Sequence, residues 1–291
     1  MRNAFIEELV ALAHVRPNIA LVVGDLGYSV IEPFVESFPD RFVNAGVAEQ
    51  NMAGLAAGMA SEGYHVFTYS IANFPTFRCA EQVRNDIDHH RLPVTTVAVG
   101  GGVAYGNMGY SHHAVQDYAL MRTMPNMLLA APGDPHETRA CLRYLIENPG
   151  PSYLRLGKAG EPKFHDADPT VTPGQWVPVM TEGRDPARVM LSTGAALGAA
   201  LNRAETTGHS VYSMPLWSMA TKGQQAERAL GLTELVTLED HLLDGGFGSW
   251  MAEALVGTPA ASRLRPIALS ERVCDMVASQ ATLNRLGGLA A

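Results

Sequence analysis

Continuous apolar runs alternate with helix-like stretches over the first half of the chain, and this alternation limits the possible folds more than any other feature. Six runs have the composition of strands: IALVV (19–23), RFVNA (41–45), HVFTYS (65–70), PVTTVAV (93–99), MLLAA (127–131) and SYLRL (152–156). Because most are apolar without interruption, we expect both faces of each strand to be buried. Helical stretches at 3–13, 48–61, 78–90, 114–123 and 134–147 separate them. Strands joined through helices pair in parallel, so the sequence predicts a doubly wound α/β domain.

The alternation lapses near residue 157 and then resumes as a second, smaller set. Glycines and prolines dominate the interruption: Gly157, Gly160, Pro162, Pro169, Pro173 and Gly174. Beyond it, RVMLS, HSVYSMP, ELVTLED and RPIALS resemble strands, and helical stretches lie near 195–206, 222–230, 246–255 and 277–286. We therefore predict two doubly wound α/β domains, a parallel-sheet domain over 1–158 and a smaller domain over 179–291, joined by a linker at 159–178.

The composition argues against several classes of protein. Of the 291 residues, 21 are Lys or Arg and 29 are Asp or Glu, which gives a net charge of −8 without a long run of either sign. Such a chain offers no basic surface for nucleic acid. It also has no stretch of about 18 apolar residues that could span a membrane. Its cysteines are odd in number and far apart, so we expect unpaired thiols and a cytoplasmic location.

A carboxylate lies at a strand-to-helix junction in NAGVAEQNM (44–52). Glu49 falls in the first turn of the predicted helix, among small apolar residues. A carboxylate in that place can simply stabilise the helix dipole. The helix that follows is almost uncharged and is therefore expected to be buried. Glu49 would then be poorly hydrated and suited to sharing a proton with a ligand base.

A second junction, YSIANFPTFR (69–78), places two aromatic residues three positions apart. Phe74 and Phe77 therefore share one face of a helical turn. They can pack in the core, or they can form a stacking surface for a flat heterocycle. The residues alone leave both interpretations open.

Two further segments are rich in glycine. The first, GGGVAYGNMGYSHH (100–113), indicates a close backbone approach or a mobile loop, but it has neither the ending of a phosphate loop nor the dinucleotide fingerprint. His112 and His113 have no further ligands at suitable spacing, so we predict no metal site. The second, LEDHLLDGGFG (238–248), can form a binding site, although helix capping explains most of its composition and His241 is expected to be structural.

Taken together, these segments resemble the C-terminal half of the transketolase family of thiamine diphosphate enzymes. The resemblance covers nearly the whole chain and rests on GDLGYS (24–29), RFVNAGVAEQNMAGLAAGMA (41–60), the aromatic stretch at 70–78, GYSHHAVQDYALMRTMPNMLLAAPGD (109–134) and LEDHLLDGGFGSWMAEAL (238–255). The similarity extends to 1-deoxyxylulose-5-phosphate synthase and, more distantly, to the β subunits of 2-oxo acid dehydrogenases. It implies a pyrimidine-binding domain followed by a C-terminal transketolase domain.

The resemblance implies catalytic and cofactor-binding roles for particular residues. In the family, a glutamate at the position of Glu49 hydrogen-bonds N1′ of the aminopyrimidine and so promotes removal of the proton from thiazolium C2. Phe74 and Phe77 match two places at which the family stacks aromatic rings on the aminopyrimidine, and Ile71 stands at a third. His112 matches a histidine that contacts the reacting oxygens.

The resemblance also implies a second chain. The family binds Mg²⁺ and the cofactor diphosphate through a Gly-Asp-Gly motif and a later Asn, which lie in its N-terminal half. Here GDLG (24–27) comes too early and lacks that Asn. We therefore expect an N-terminal transketolase partner subunit to bind Mg²⁺, in a heterotetramer with a self-dimer contact. This chain should be inactive alone.

The substrate anchors implied by the resemblance depart in part from the family pattern. Arg2 and Ser29 match an Arg and a Ser that bind sugar phosphates, whereas Lys158 replaces a second Arg. Gly100 replaces a His, and Met108 replaces an Asp that binds a substrate hydroxyl. Exchanging a bidentate Arg for a point-charge Lys should weaken sugar-phosphate recognition. We expect a sugar or aldehyde substrate that is non-phosphorylated, otherwise anionic, or without that hydroxyl.

The leading hypothesis is a transketolase subunit that transfers a two-carbon ketol unit from a ketose donor to an aldehyde acceptor. A subunit of a 2-oxo acid-using enzyme, similar to 1-deoxyxylulose-5-phosphate synthase or a dehydrogenase β subunit, is an alternative that Gly100 and Met108 keep open. A non-catalytic partner subunit is another. Glu49 weighs against it, because a degenerate subunit has little reason to keep a buried carboxylate.

Overall fold

The computed structural model describes residues 1–290, which form two β-sheets covered by helices. The strands are β1 (Ile19–Val23), β2 (Phe42–Asn44), β3 (His65–Ile71), β4 (Val94–Val99), β5 (Leu128–Ala130), β6 (Ser152–Leu156), β7 (Val177–Met180), β8 (Asp185–Ser192), β9 (His209–Ser213), β10 (Leu216–Ser218), β11 (Glu234–Leu242) and β12 (Leu264–Leu269). The helices are α1 (Arg2–Val15), α2 (Glu32–Ser37), α3 (Glu49–Ser61), α4 (Phe74–Phe77), α5 (Ala80–Gln82), α6 (Asp117–Met121), α7 (Pro135–Glu147), α8 (Leu197–Thr207), α9 (Gln225–Arg228), α10 (Phe247–Leu255) and α11 (Gln280–Leu286).

The first sheet has the strand order β10-β5-β6-β4-β3-β1-β2. Strands β1 to β6 pair in parallel, as their apolar runs predict. The order reverses between β1 and β3, and the chain leaves these strands toward opposite faces of the sheet. In sheets of this kind, ligands bind at the carboxyl edge beside such a reversal.

Alternate residues of β1 explain why both faces are covered. Ile19, Leu21 and Val23 belong to the apolar cluster formed with α1, α2 and α7, whereas Val22 belongs to the cluster formed with α3. A strand that is apolar at every position therefore fits between two helical layers.

The second sheet has the order β12-β11-β8-β9-β7, in which only β7 runs antiparallel to its neighbour. Residues 157–176 contain no helix or strand, and β7 begins within the last residues of the predicted linker. That segment is packed against the first domain: the Asp134 carboxylate accepts backbone hydrogen bonds from Phe164 at 2.8 Å and His165 at 3.0 Å. The domain limits themselves stay a prediction.

Three details differ from the predicted elements. The helix expected over 78–90 is observed as the short helix α5 followed by a π-helical turn at Val83–Asp88, and the non-helical backbone of Cys79 separates these two elements from α4. The helix expected over 114–123 is limited to α6, since Ala114 instead pairs with Gly102 as a β-bridge. In addition, β10 joins the first sheet from the second half of the chain, antiparallel to β5.

Arg155 of β6 joins the two domains through a buried network of charges. Its Nε donates to Asp117 Oδ2 at 2.7 Å, its Nη1 donates to Asp240 Oδ1 at 2.6 Å, and its Nη2 donates to the Ala114 carbonyl at 2.8 Å. Tyr153 adds a 2.6 Å hydrogen bond to Asp117 Oδ2. A buried charge is tolerated only when it is paired in this way.

We predict that Arg155→Met will lower the free energy of unfolding by about 3–5 kcal/mol, because it leaves two buried carboxylates without their cation. Arg143→Met is the matched control, since Arg143 pairs with Glu8 on the surface and its loss should cost at most about 1 kcal/mol. Urea denaturation of both variants measures the difference. Equal losses would contradict the assignment of Arg155 as the domain link.

Candidate active site

Four of the segments singled out in the sequence meet at the carboxyl edge of the first sheet. The loop after β1, the junction of β2 with α3, the junction of β3 with α4, and the glycine-rich segment after β4 all leave from this edge. Parallel pairing places the ends of these strands side by side, which is why segments distant in sequence converge there.

Glu49 is the first residue of α3 and is 3% exposed. The helix is built mainly of small residues and packs closely, with Met52, Ala53, Ala56, Ala57 and Ala60 buried against the sheet. The positive end of the helix dipole favours a carboxylate at this position. The predicted burial is confirmed for this face of the helix only, because the opposite face is exposed at Gln50, Asn51, Gly54, Gly58 and Ser61.

Arg78 forms an ion pair with the Glu49 carboxylate, a contact that the sequence did not predict. Its Nη1 lies 3.0 Å from Glu49 Oε1 and 3.1 Å from Oε2, and its guanidinium carbon lies 4.1 Å from the centre of the Phe74 ring. The guanidinium is thus hydrogen-bonded to Glu49 and placed over the Phe74 ring. Half of the Arg78 side chain is exposed, so this cation lies at the mouth of the site.

Two open clefts meet at Arg78. The larger, of 560 Å³, is lined by Asn73, Phe74, Phe77, Arg78, Tyr110, Ser111 and Gln116. The other, of 490 Å³, is lined by residues 47–51 and Arg78. Phe77 is 50% exposed and Phe74 is half-buried, so neither is an ordinary core residue. Ile71, half-buried at the end of β3, lies outside both clefts.

His112 ends a one-turn 3₁₀ helix, Tyr110–His112, beside the aromatic residues. Its ring stands edge-on to Phe74 at 5.3 Å between centroids, and Ser111 Oγ lies 3.0 Å from its Nδ1, which leaves Nε2 for a ligand. Asn73 holds this turn in place by donating to the carbonyls of His113 at 2.7 Å and Ser111 at 3.2 Å. Desolvation, together with the charges of Arg78 and His113, lowers the pKa of His112, which favours the neutral imidazole.

The expected substrate anchors are brought together only in part. Lys158 Nζ lies 5.4 Å from the centre of the Tyr105 ring. Burial raises the pKa of this tyrosine, and the nearby charge of Arg2 opposes that shift. Ser29 lies on the exposed loop after β1, where its N–H donates to Glu32 at 2.7 Å. No hydrogen bond, ion pair or ring contact joins Ser29 to the other anchors within residues 1–290. Met108 is exposed.

The second domain supports the glycine-rich segment. A Cβ at Gly102 would lie 2.5 Å from Asp240 Oδ2, and one at Gly106 would lie 2.5 Å from the Ala278 carbonyl oxygen. Glu239 caps α10 by accepting from the N–H groups of Phe247 and Gly248. His241 is buried and stacked on Tyr118 at 5.1 Å, and burial lowers its pKa to about 4. This geometry favours the structural interpretation of LEDH.

Within the described residues, no group of three or more His, Cys, Asp or Glu side chains is arranged to hold a metal ion. Over the same residues, no helix is long and apolar enough to cross a membrane. Cys79, Cys141 and Cys274 are all unpaired.

We predict that Arg78→Gln will raise the pKa of His112, because removing a neighbouring positive charge favours the protonated imidazole. Titration of the His112 ring protons by NMR measures this shift. Arg84→Gln, on the same side of the sheet but outside both clefts, is the control and should leave the His112 pKa unchanged. A His112 pKa that is unaltered in Arg78→Gln would contradict the electrostatic coupling.

Several known proteins are similar to this chain along most of its length. Residues 1–161 match the family model for the transketolase pyrimidine binding domain. A putative transketolase C-terminal section from Methanocaldococcus jannaschii is 32% identical over 278 residues, covering 93% of this chain and 86% of that protein. One of the subunits of apulose-4-phosphate transketolase from Actinobacillus succinogenes is 31% identical over 275 residues, covering 92% of this chain and 88% of that protein.

A longer enzyme and two solved transketolase structures are also similar to this chain. A 1-deoxy-D-xylulose-5-phosphate synthase from Pelotomaculum thermopropionicum is 30% identical over 87% of this chain, which spans 40% of that enzyme. A split gene transketolase, described as an inactive β4 tetramer, superposes with a TM-score of 0.81 at 31% identity over 99% of this chain and 93% of that one. Transketolase from Leishmania mexicana has the same fold, with a TM-score of 0.77 at 19% identity, over 99% of this chain and 43% of that one. This chain therefore belongs to the transketolase family, among the split C-terminal subunits that begin with the pyrimidine-binding domain.

Proposed function

We propose that this chain is the pyrimidine-binding subunit of a thiamine diphosphate-dependent enzyme that transfers a two-carbon ketol unit from a ketose to an aldehyde. The observation that carries the proposal is the buried Glu49 at the start of α3, whose partner Arg78 lies over the Phe74 ring at the point where the two open clefts meet.

The residues present fit the aminopyrimidine of the cofactor, and the position of Arg78 supports this fit. The guanidinium is flat, donates N–H groups to Glu49 and lies over the Phe74 ring. An aminopyrimidine is also flat and hydrogen-bonds a carboxylate along one edge. The space between Glu49 and Phe74 therefore accepts a group of this shape, provided that Arg78 moves aside.

The roles of this chain follow from that placement. Glu49 would share a proton with N1′ of the ring, Phe74 and Phe77 would stack on its face, and Ile71 would border it. His112 would present Nε2, with its Nδ1 fixed by Ser111, to the reacting oxygens of the substrate. Arg2, Ser29 and Lys158 would bind the far end of the substrate. When bound, the cofactor supplies the nucleophilic carbon and the electron sink.

An N-terminal partner subunit would bind the diphosphate and Mg²⁺. Support comes from apolar side chains on the segments at the carboxyl edge of the first sheet that are half or more exposed: Tyr28, Val47, Phe77, Met108 and Tyr110. Such a group of residues on one edge is typical of a protein interface. The related split transketolase chain that forms an inactive β4 tetramer supports a self-contact between copies and inactivity without the mate. We propose a heterotetramer, located in the cytoplasm in agreement with its three unpaired cysteines.

A 2-oxo acid-using enzyme is the second candidate. The similarity to 1-deoxy-D-xylulose-5-phosphate synthase over 87% of the chain favours it, as do Gly100 and Met108 in the substrate positions. Against it, the transketolase C-terminal section and the apulose-4-phosphate transketolase chain match along most of their own lengths. We propose the ketol transfer first for that reason.

Calorimetric titration with thiamine diphosphate and Mg²⁺ tests the proposal, on this chain alone and on its mixture with an N-terminal transketolase chain from the same organism. We expect binding and ketol transfer only in the mixture, because this chain lacks the diphosphate motif. Tight binding by this chain alone would contradict the split of the cofactor site. Binding in neither sample would favour a non-catalytic subunit, and a pull-down would test whether the two chains associate.

We predict that Glu49→Gln will reduce ketol transfer by the mixed enzyme at least about 100-fold, because the amide can form hydrogen bonds but cannot share a proton. Glu62→Gln, at the exposed far end of the same helix, is the control and should retain full activity. Size-exclusion chromatography establishes that assembly is intact in both. Normal turnover in Glu49→Gln would remove this carboxylate from the mechanism.

We predict that fructose 6-phosphate and xylulose 5-phosphate will not be the best donors, because Lys158, Gly100 and Met108 replace groups that bind them in the family. Comparison of kcat/KM over a panel of ketoses, with and without phosphate, measures this preference. The relative named for apulose 4-phosphate makes branched sugar phosphates the first alternative to include. A clear preference for either common donor would overturn the prediction.

A further inference from the structure

Tyr105 occupies the space that a side chain at position 100 would need. A Cβ built on Gly100 would lie 2.1 Å from Cε2 and 2.3 Å from Cδ2 of the tyrosine, and Gly100 has a φ of +85°. Position 100 follows β4 directly, at the carboxyl edge of the sheet. The Tyr105 ring can therefore lie over position 100 only because that position has no side chain.

The same ring is close to both side chains proposed to bind the two ends of the substrate, His112 and Lys158. Its centroid is 6.4 Å from the centroid of His112 and 5.4 Å from Lys158 Nζ. A substrate that contacts His112 with its carbonyl and Lys158 with an anionic group must pass along Tyr105. The ring thus forms a wall of that path.

Two buried polar groups beside the ring have no partner of their own. Arg2 Nε and the hydroxyl of Tyr69 are both buried, and neither makes a hydrogen bond to any described residue. Buried groups of this kind are rare unless a ligand or water satisfies them. Burial raises the pKa of Tyr69 to about 12, so its hydroxyl remains a donor at neutral pH, and burial likewise raises the pKa of Tyr105.

The charges around Tyr105 favour an anion. Arg2 and Lys158 form no ion pair within residues 1–290. Glu161 also acts on Tyr105 and raises its pKa, but its carboxylate is paired with the amino group of Met1 at 2.6 Å. Two cations and two hydroxyl donors therefore remain for a ligand.

We infer that Tyr105 is a specificity-determining residue, which limits the length of substrate between a carbonyl at His112 and an anionic group at Arg2 and Lys158. The inference rests on the proposed function for the reaction and deepens it by defining the substrate class: a short aldehyde that carries a carboxylate or a phosphate at its end. A longer chain would have to displace the ring, which is held against Gly100.

Acceptor aldehydes of increasing length test this inference in the mixed enzyme. Glycolaldehyde, glyceraldehyde, erythrose and ribose, each with and without a terminal phosphate, provide the series, and glyoxylate provides the carboxylate. For the wild-type enzyme we expect kcat/KM to fall as the chain lengthens. In Tyr105→Leu the preference for glyceraldehyde over ribose should weaken at least about tenfold. The change should come through KM with kcat retained, because Tyr105 does not contact the reacting atoms.

Two further variants distinguish the effect of the Tyr105 ring from the effect of its hydroxyl and from nonspecific effects of a substitution. Tyr105→Phe keeps the ring, so it should keep the preference for short chains and lose affinity only for the anionic acceptors. Tyr144→Leu, on α7 away from the site, is the matched control and should behave as wild type. A preference for chain length that is identical in Tyr105→Leu and wild type would overturn the inference and leave the proposed function in place.

Anion binding to this chain alone gives a readout that does not depend on turnover. Calorimetric titration with inorganic phosphate and with acetate should detect binding to the wild-type chain, loss of it in Lys158→Gln, and weakening in Tyr105→Phe. Stronger binding of phosphate would indicate a substrate that ends in a phosphate, and stronger binding of acetate would indicate one that ends in a carboxylate. If the mixed enzyme transfers no ketol unit but this pattern is found, the proposed reaction is wrong and the anion subsite stands. If the wild-type chain binds neither anion, the subsite is wrong whatever the kinetics.

Discussion

The geometry of the site depends on the buried guanidinium of Arg155. Its position beneath the start of the glycine-rich segment leaves no room for side chains above it: a Cβ at Gly101 would lie 2.5 Å from its Cζ, and one at Gly102 would lie 2.5 Å from Asp240 Oδ2. The glycines are therefore a consequence of a charge that β6 presents to the second domain. This packing fixes the path of the backbone toward Tyr105 and His112. The second domain thus takes part in shaping the site, although it contributes none of the proposed catalytic groups.

The pairing of Glu49 with Arg78 differs from the buried network of Arg155. Glu49 is buried, and its only ion-pair partner within residues 1–290 is the half-exposed Arg78. An ion pair with one exposed partner is weak and easily exchanged. Such a pair stabilises the carboxylate while the cleft is open and can be replaced when another donor enters. Phe74 and Phe77 beside this pair are likewise available to a ligand, since α4 positions their rings but leaves them partly exposed.

Much of the fold could be predicted from the sequence, because the information is local. The six strands of the first domain and the cap of α7 by Asp134 follow from apolar runs and from a turn that is readable within a few residues. The π-helical turn at Val83–Asp88 could not be predicted, since no glycine or proline marks it. The contacts of the site were least accessible: the pairing of Glu49 with Arg78 joins residues far apart in the chain and required the packing of α3 against α4. The role of Tyr105 was not predicted, because glycines dominate its segment. A glycine at position 100 followed by a large residue five positions later could have indicated that the ring lies over position 100.

The site combines positions that the fold holds rigidly with positions on loops that can vary. Glu49 and Phe74 lie on helices that pack against the sheet, so their positions are fixed by many contacts. Gly100, Tyr105 and Lys158 lie on loops at the same edge, where a change alters the shape of the pocket without disturbing the core. The Tyr105 ring fits in the pocket only because position 100 has no side chain. A substitution that restores a side chain there must remove the ring as well, so the two positions constrain each other.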